Sequence, residues 1–319
     1  SNCYVNTLND DAIVLKSSYG LGYAKPTENV TITNCQVSGY DPGTLLDGTF
    51  KKTIAKAPDQ DGPTGRIKFG TESNGGFKNI TISNCVFDHC RGLALETVDG
   101  GIIEDITISN IAMRDIQNAP IYIRLGNRAR GPKESTPVAI IRRVKISDVV
   151  VKEADCRYAS IIAGIPGHPI EDVTLSNIYI QYKGGLSMKE AAEQPKELIN
   201  NFFTRKDPIV PRDPYAVPDR ETDYPEPATV GILPAYGLYV NHAVNLKVNN
   251  VEFETIAEDK RPVVVLMDVD GVKFNGLSAD KSADAPFFVL RGVKGFSAVD
   301  VDGMKDIEVP EAKIQEIKK

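Results

Sequence analysis

The chain has 319 residues and a formal net charge of −6, and this acidic balance argues against a nucleic-acid partner, which needs a basic surface. No run of apolar residues in the sequence is long enough to cross a membrane. Aromatic residues make up only 7% of the chain and Trp is absent, which is typical of narrow coils filled by medium-sized aliphatic side chains.

A repeated unit of alternating apolar and polar residues runs along the chain. Its clearest copy, residues 79–88, reads Asn-Ile-Thr-Ile-Ser-Asn-Cys-Val-Phe-Asp. Alternation of this kind predicts a strand rather than a helix. The shortest spacings between copies are those of a solenoid coil, and longer spacings mark insertions at turns. When the copies are aligned, one position forms a column: Asn2, Asn34, Asn84, Asn110, Asp148, Asn177, Asn250, Gly276 and Asp300.

A second strand follows each of the earlier copies, and these strands also align with one another. They are predicted at residues 12–17, 66–71, 92–97, 120–125 and 159–164, and more loosely at 263–268. Short parallel strands stacked coil upon coil describe a single-stranded parallel β-helix. We therefore expect an all-β fold with one domain over residues 1–319, interrupted by an inserted excursion at about 183–234.

The column of Asn residues has a structural explanation. In such a stack an Asn at a turn can bond its side-chain amide to the Asn one coil away. Cys3, Cys35 and Cys85 each follow a column residue, so we expect an inward-facing stack of free thiols rather than disulfides. Cys90 and Cys156 lack metal-ligand spacing with His.

Three segments carry a resemblance to a known family. Residues 9–17, Asn-Asp-Asp-Ala-Ile-Val-Leu-Lys-Ser, are similar to the Gly-Asp-Asp-Cys-Ile-Ala-Ile-Lys-Ser motif of glycoside hydrolase family 28, the polygalacturonases and rhamnogalacturonan hydrolases. Residues 69–80 and 91–97 resemble two further segments of that family, in the family's order. The resemblance covers roughly residues 1–180. It implies a right-handed, pectin lyase-like parallel β-helix and a secreted or periplasmic location.

The resemblance also implies a mechanism, the inverting hydrolysis of a glycosidic bond by two opposed carboxyl groups. By position, Asp11 would be the general acid and Asp10 a carboxylate that activates water. Two like charges this close help to keep one of them protonated. Read without the resemblance, two Asp residues before a strand are more often a solvated turn.

The chain departs from the family at three points. A further catalytic Asp belongs one coil upstream of Ser1, and because the chain opens in the second half of a repeat unit we expect the natural protein to continue upstream. The family's Gly-His-Gly is replaced by Pro-Thr-Gly-Arg at residues 63–66. Its Arg-Ile-Lys clamp for a galacturonate carboxylate is replaced by Ala-Leu-Glu at residues 94–96, which reverses a charge.

Charged residues on the outward side of the second strands are the candidates for substrate binding. Stacking places Lys16, Gly70, Glu96 and Arg124 in one outward column. Mixed charge on a groove fits a sugar binder, and the alternative is an exposed face of solvated charges. His168 stands in a turn that could face the groove, although a turn His without function is the commoner case. The candidates are Lys16, Arg66, Lys68, Glu72, Arg91, Glu96, Arg124, Arg128 and His168.

Two insertions are expected to shape this groove. Residues 41–62 form a loop long enough to wall the groove on the side of the acids. Residues 183–234 begin with a helical stretch at 187–198 and continue in a run rich in Pro and charge. Because loops of this length tend to be functional or disordered, we expect this excursion to pack back across the coils and to close one end of the groove. Residues 309–319 are predicted to form a terminal cap or tail.

We therefore expect a monomeric pectin-type glycosidase without metal or organic cofactor. Its partner would be a pectic polysaccharide or oligosaccharide, with rhamnogalacturonan preferred over plain polygalacturonate because the His and the Arg-Ile-Lys clamp are missing. One alternative is a non-catalytic polysaccharide-binding β-helix or a truncated, inactive glycosidase. A second alternative is a polysaccharide lyase, which needs a Lys or Arg base, often with calcium.

Overall fold

The structure is a computed structural model that describes residues 1–200, 202 and 210–318. Strands dominate it, and the single α-helix among these residues is α1 (Met188–Glu193). The strands are β1 (Tyr4–Asn6), β2 (Ile13–Ser17), β3 (Thr27–Thr33), β4 (Gln36–Ser38), β5 (Ile67–Ser73), β6 (Phe77–Asp88), β7 (Leu93–Thr97), β8 (Ile102–Arg114), β9 (Ile121–Leu125), β10 (Ile140–Ala154), β11 (Ser160–Ala163), β12 (Ile170–Gly184), β13 (Leu238–Ala257), β14 (Val264–Ala279), β15 (Phe288–Val301) and β16 (Ile307–Ile317).

From β1 to β11, each strand pairs with a strand one coil away rather than with its sequence neighbour. One series runs through β1, β4, β6, β8, β10 and β12 to β13, and a second runs from β13 through β11, β9, β7 and β5 to β2. The pairing is parallel and in register, as in Ile80 with Ile106 and Ile106 with Val144. In β13, β14 and β15 the two series merge into continuous strands. The predicted parallel β-helix is confirmed.

The long strands bend at corner residues in left-handed backbone conformation. Asn84, with φ of 55°, donates from Nδ2 to Oδ1 of Asn34 at 3.2 Å and accepts from Nδ2 of Asn110 at 3.2 Å. The predicted ladder of Asn side chains is therefore confirmed. A second corner column lies five residues earlier in each coil and was not predicted. Its members also have positive φ: Asn29, Asn79, Asp105, Arg143, Asp172, Asn245, Gly271 and Gly295.

The interior of the coils is a continuous aliphatic core built from the inward side of every strand. Cys35 and Cys85 lie buried in it, as predicted, and Cys3 is exposed in the first coil. All five thiols are free. Burial raises the pKa of the Cys85 thiol, which is the behaviour of a small buried hydrophobe rather than of a reactive cysteine.

The excursion packs back across the outward side of the second strands, as predicted. Residues such as Leu233 and Val217 contact Tyr122 and Ile161, which point outward from β9 and β11. The predicted helix at 187–198 is shorter than expected. Ser187 caps α1 in a capping box with Glu190, and the helix ends at Glu193 because Gln194 is left-handed and Pro195 follows. Part of the excursion, residues 201 and 203–209, lies outside the described residues.

The far end of the solenoid is closed by β16, which pairs with β15 in antiparallel orientation. This strand covers the edge that the last coil would otherwise expose. The predicted terminal cap is confirmed for the described residues up to 318. Among those residues no helix is both long and apolar enough to span a membrane.

Candidate functional site

The two neighbouring acids lie beside two buried cations on the outward side of the helix. Alternation in β5 points Ile67 and Phe69 into the core, so Arg66 and Lys68 point outward, as predicted. Arg66 Nε donates to Asp11 Oδ1 at 2.8 Å, and Lys68 Nζ lies 3.5 Å from Asp11 Oδ2. Asp10 is exposed, and its Oδ1 accepts from the Asp11 backbone N–H at 2.8 Å.

A third acid, Glu226, enters this cluster from the excursion and joins two arginines. Its carboxylate accepts from Arg66 Nη2 at 2.8 Å and from Asn118 Nδ2 at 2.9 Å, and it lies 3.4 Å from Arg91 Nη1. Glu226 is buried. Sequence reasoning missed both Glu226 and Asn118, and the available signal was weak: a Glu between two prolines in a segment without periodicity.

Glu96 lies beneath the cluster. Its Oε2 is 3.2 Å from Lys68 Nζ and its Oε1 is 3.6 Å from Arg66 Nη2. Neither oxygen has a hydrogen-bond partner among the described residues. Burial raises the pKa of Glu96 to about 7 against the opposing charges of Lys68 and Arg66. A carboxyl in this state carries a proton part of the time near neutral pH.

The two buried cations bear on the predicted role of Asp11 as the general acid. Burial raises the pKa of Asp11, but the charges of Arg66 and Lys68 and the hydrogen bond from Arg66 outweigh it, and the pKa lies below its usual range. The effect expected from two adjacent like charges is outweighed at Asp11 by the two cations. Asp11 is held ionised, which is the opposite of what a general acid requires.

A cavity of about 550 Å³ opens above this cluster. The inserted loop contributes Pro58 and Asp59 to it, so the predicted wall on the side of the acids is confirmed. Asp59 Oδ1 binds Arg91 Nη2 at 2.7 Å. The ring of Tyr224, from the excursion, lies 5.2 Å from Lys68 Nζ and forms another wall. The described lining residues are Asn9, Asp10, Asp11, Pro58, Asp59, Thr64, Arg66, Lys68, Arg91, Phe202, Tyr224 and Glu226.

The outward column of charges exists but is largely covered. Glu96 pairs in register with Arg124, as predicted. Arg124 is buried under the excursion, where it donates from Nη1 to the Gly164 carbonyl at 3.0 Å and from Nη2 to the Asp219 carbonyl. The alternative of a solvated charged face is wrong for the buried members of the set: Arg66, Lys68, Arg91, Glu96 and Arg124.

The remaining predicted binding residues lie outside the cavity lining. Lys16 is exposed and Glu72 is partly buried, and Lys16 Nζ lies 3.7 Å from Glu72 Oε2. Arg128 pairs with Asp99 at 2.5 Å and lies 6.0 Å from the Tyr224 ring. His168 is exposed in its turn.

No group of His, Cys, Asp and Glu in the described part of the chain has the geometry to hold a metal ion. Comparison of the chain with protein-family models, with curated proteins and with solved structures finds no match. The case for a function therefore rests on the cavity and on the sequence motifs.

Proposed function

We propose that the chain is a glycosidase that hydrolyses pectic polysaccharide of the rhamnogalacturonan type with inversion of the anomeric centre, in the cavity above Asp10 and Asp11. The observation that carries the proposal is the pairing of one exposed carboxyl with one carboxylate that buried cations hold ionised, in a cavity of about 550 Å³. Pockets of this volume suit a small ligand. The resemblance of residues 9–17 to the glycosidase motif supports the same site.

Asp10 is the general acid in this proposal, rather than Asp11. Its side chain is exposed and has no ion pair in the described part of the chain, so it can reach the leaving oxygen of a substrate, whereas Asp11 is held by Arg66 and Lys68. Asp11 and Asp59 are the ionised carboxylates available to orient water. Burial raises the pKa of Asp59, but the hydrogen bond and charge of Arg91 lower it further, below the usual value.

The test is release of reducing ends from rhamnogalacturonan and homogalacturonan by the wild-type chain and by Asp10→Asn. General acid catalysis contributes about 10²–10⁴-fold to rate, so the variant should lose at least about 10²-fold in kcat. Asp284→Asn, an exposed carboxylate on the loop before β15, is the matched control and should retain full activity. Undiminished turnover by Asp10→Asn would refute the assignment.

The lyase alternative is less well supported by the geometry. A lyase base must give up its proton near neutral pH, whereas Lys68 is paired with Glu96 and Asp11. Burial lowers the pKa of Lys68, but the charges of Glu96 and Asp11 outweigh that and raise it above its usual value. A non-catalytic sugar-binding role predicts binding without turnover, unchanged in Asp10→Asn.

A further inference from the structure

Resting on the proposed function, we propose that the sugar unit bound in this cavity is uncharged and that a uronate is excluded from it. The unit would be a neutral hexose, deoxyhexose or pentose, and any uronate of the substrate would lie outside the cavity. The inference follows from which charged atoms the cavity exposes, which groups already neutralise its cations, and what the remaining wall offers.

The three cations among the described lining residues are almost inaccessible. The side chains of Arg66 and Lys68 are each 1% exposed and that of Arg91 is 2% exposed. A uronate carboxylate is recognised best by a guanidinium that presents two free N–H groups side by side. Because these side chains are buried, the carboxylate of a ligand cannot make that contact.

The same cations are already neutralised by the chain's own carboxylates. Arg66 has Glu226 at 2.8 Å on Nη2 and Asp11 at 2.8 Å on Nε. Arg91 has Asp59 at 2.7 Å and the Gly62 carbonyl at 3.0 Å, both on Nη2. A ligand carboxylate would have to displace one of these partners and leave it unpaired, which is costly at a buried site.

The polar groups that a ligand can reach among the described residues are instead negatively charged hydrogen-bond acceptors. Asp10 is exposed, and the side chains of Asp59 and Asp11 are 22% and 10% exposed. Ionised carboxylates accept hydrogen bonds from sugar hydroxyls and repel a uronate. Even with Glu96 and Asp10 both protonated, the carboxylates of Asp11, Asp59 and Glu226 balance the three cations, so the described residues give the cavity no excess positive charge to attract an anion.

Another part of the cavity wall is aromatic. Tyr224 is 41% exposed and lines the cavity. An aromatic ring of this kind presents an apolar surface with a polar edge. Such a surface packs against the C–H face of a sugar ring and needs no charge on the ligand. The cavity therefore offers hydroxyl acceptors on one side and an apolar surface on the other.

The experiment compares matched sugars that differ at one carbon. Binding of methyl galactoside and methyl galacturonoside, of methyl glucoside and methyl glucuronoside, and of neutral methyl 6-deoxyhexosides and pentosides is measured by calorimetry and by saturation-transfer NMR. At least one neutral glycoside should bind in the cavity, and its uronate counterpart should bind at least about tenfold more weakly. Asp10→Asn, in which an NH2 donor replaces one of the two acceptor oxygens, should bind the neutral sugar more weakly than the wild-type chain.

A second variant keeps the inference falsifiable. Asp59→Asn removes one accessible negative charge and frees Arg91 from its anionic partner, so the preference for the neutral sugar should shrink at least about threefold. Glu221→Gln, an exposed residue of the excursion, should leave the preference unchanged.

The inference is overturned if a uronate binds as tightly as its neutral counterpart, or if no neutral glycoside binds the cavity. Its failure is distinct from failure of the proposed function. Neutral-sugar binding without any hydrolysis would contradict the glycosidase alone, whereas hydrolysis with a uronate in the cavity would contradict the neutral-sugar site alone.

Discussion

Residues with positive φ form the corners of the coils, and the sequence predicts many of them because residue types that favour this conformation recur there. Asn reaches the left-handed region more readily than other residues with a side chain, and Gly does so freely. The column containing Asn84 was therefore predictable. The second column was less so because it includes Arg143, which has φ of 54° and is held by an ion pair to Asp105 at 2.6 Å.

Asn84→Ala should lower the free energy of unfolding by about 2–4 kcal/mol. Ala in left-handed backbone costs roughly 1–2 kcal/mol, and the bonds to Asn34 and Asn110 are each worth about 1 kcal/mol. Asn84→Gly loses the same bonds but keeps the backbone conformation, so it should be the milder change. Guanidinium unfolding of both variants provides the comparison, and an Ala variant as stable as the Gly variant would contradict the role of the corner.

Glu226→Ala should destabilise the fold by about 3–5 kcal/mol, because it leaves the buried guanidinium groups of Arg66 and Arg91 short of a partner. Glu221→Gln, at an exposed position of the same segment, should change stability by less than about 0.5 kcal/mol. Denaturant unfolding gives both values. A small loss in Glu226→Ala would mean that the excursion does not complete the cluster.

At the scale of elements, the excursion is the part that sequence alone could not place. Because it lacks periodicity, its path could not be predicted. Apolar residues on the outward side of the second strands, such as Tyr122 and Tyr239, indicate only that some segment covers them. One anchor is His242 at a corner of β13. Its Nδ1 lies 2.6 Å from Asp268 Oδ2 and its Nε2 lies 3.3 Å from Asp219 Oδ1 of the excursion.

This anchor should weaken as the pH rises. Burial lowers the pKa of His242, but the hydrogen bonds and charges of Asp219 and Asp268 outweigh it and raise the pKa above 6.5. The stabilisation is complete below the unfolded pKa and is lost as the pH rises through the folded one. Hydrogen exchange of residues 210–225 should therefore be faster at about pH 9 than at about pH 6, beyond the intrinsic change in rate.

His242→Gln should remove most of that pH dependence while leaving exchange in β6 unaltered. Equal protection of residues 210–225 at both pH values in the wild-type chain would show that His242 does not anchor the excursion.

For the whole molecule, the repeat was enough to predict a solenoid, its register and the sites of insertion, because each coil repeats the same local pattern. The candidate site was predicted in part. Arg66 and Lys68 were placed outward by parity, whereas Asp10, Asp11 and Arg91 were selected by the resemblance of their segments to family motifs. Their burial and mutual neutralisation depend on residues 41–62 and on the excursion, whose contacts no local pattern encodes.

The free energy of unfolding should depend on pH through Glu96, the buried carboxyl under the cavity. Because the folded pKa of Glu96 is raised from 4.5 to about 7, the unfolded state loses its proton first, and Glu96 makes the fold less stable as the pH rises between those values. Glu96→Gln lacks this titration, so its stability relative to the wild-type chain should improve from about pH 4.5 to about pH 7. Unfolding midpoints measured across that range provide the test, and a constant difference between the two proteins would contradict it.

The central claim is that the cavity above Asp10 and Asp11 performs inverting hydrolysis, and the product anomer tests it most directly. Proton NMR of rhamnogalacturonan oligosaccharides, followed from the first turnovers, should show the inverted anomer appearing before mutarotation. The signal should disappear in Asp10→Asn and persist in Asp284→Asn. A product of retained configuration, an unsaturated uronate, or unchanged turnover in Asp10→Asn would contradict the account.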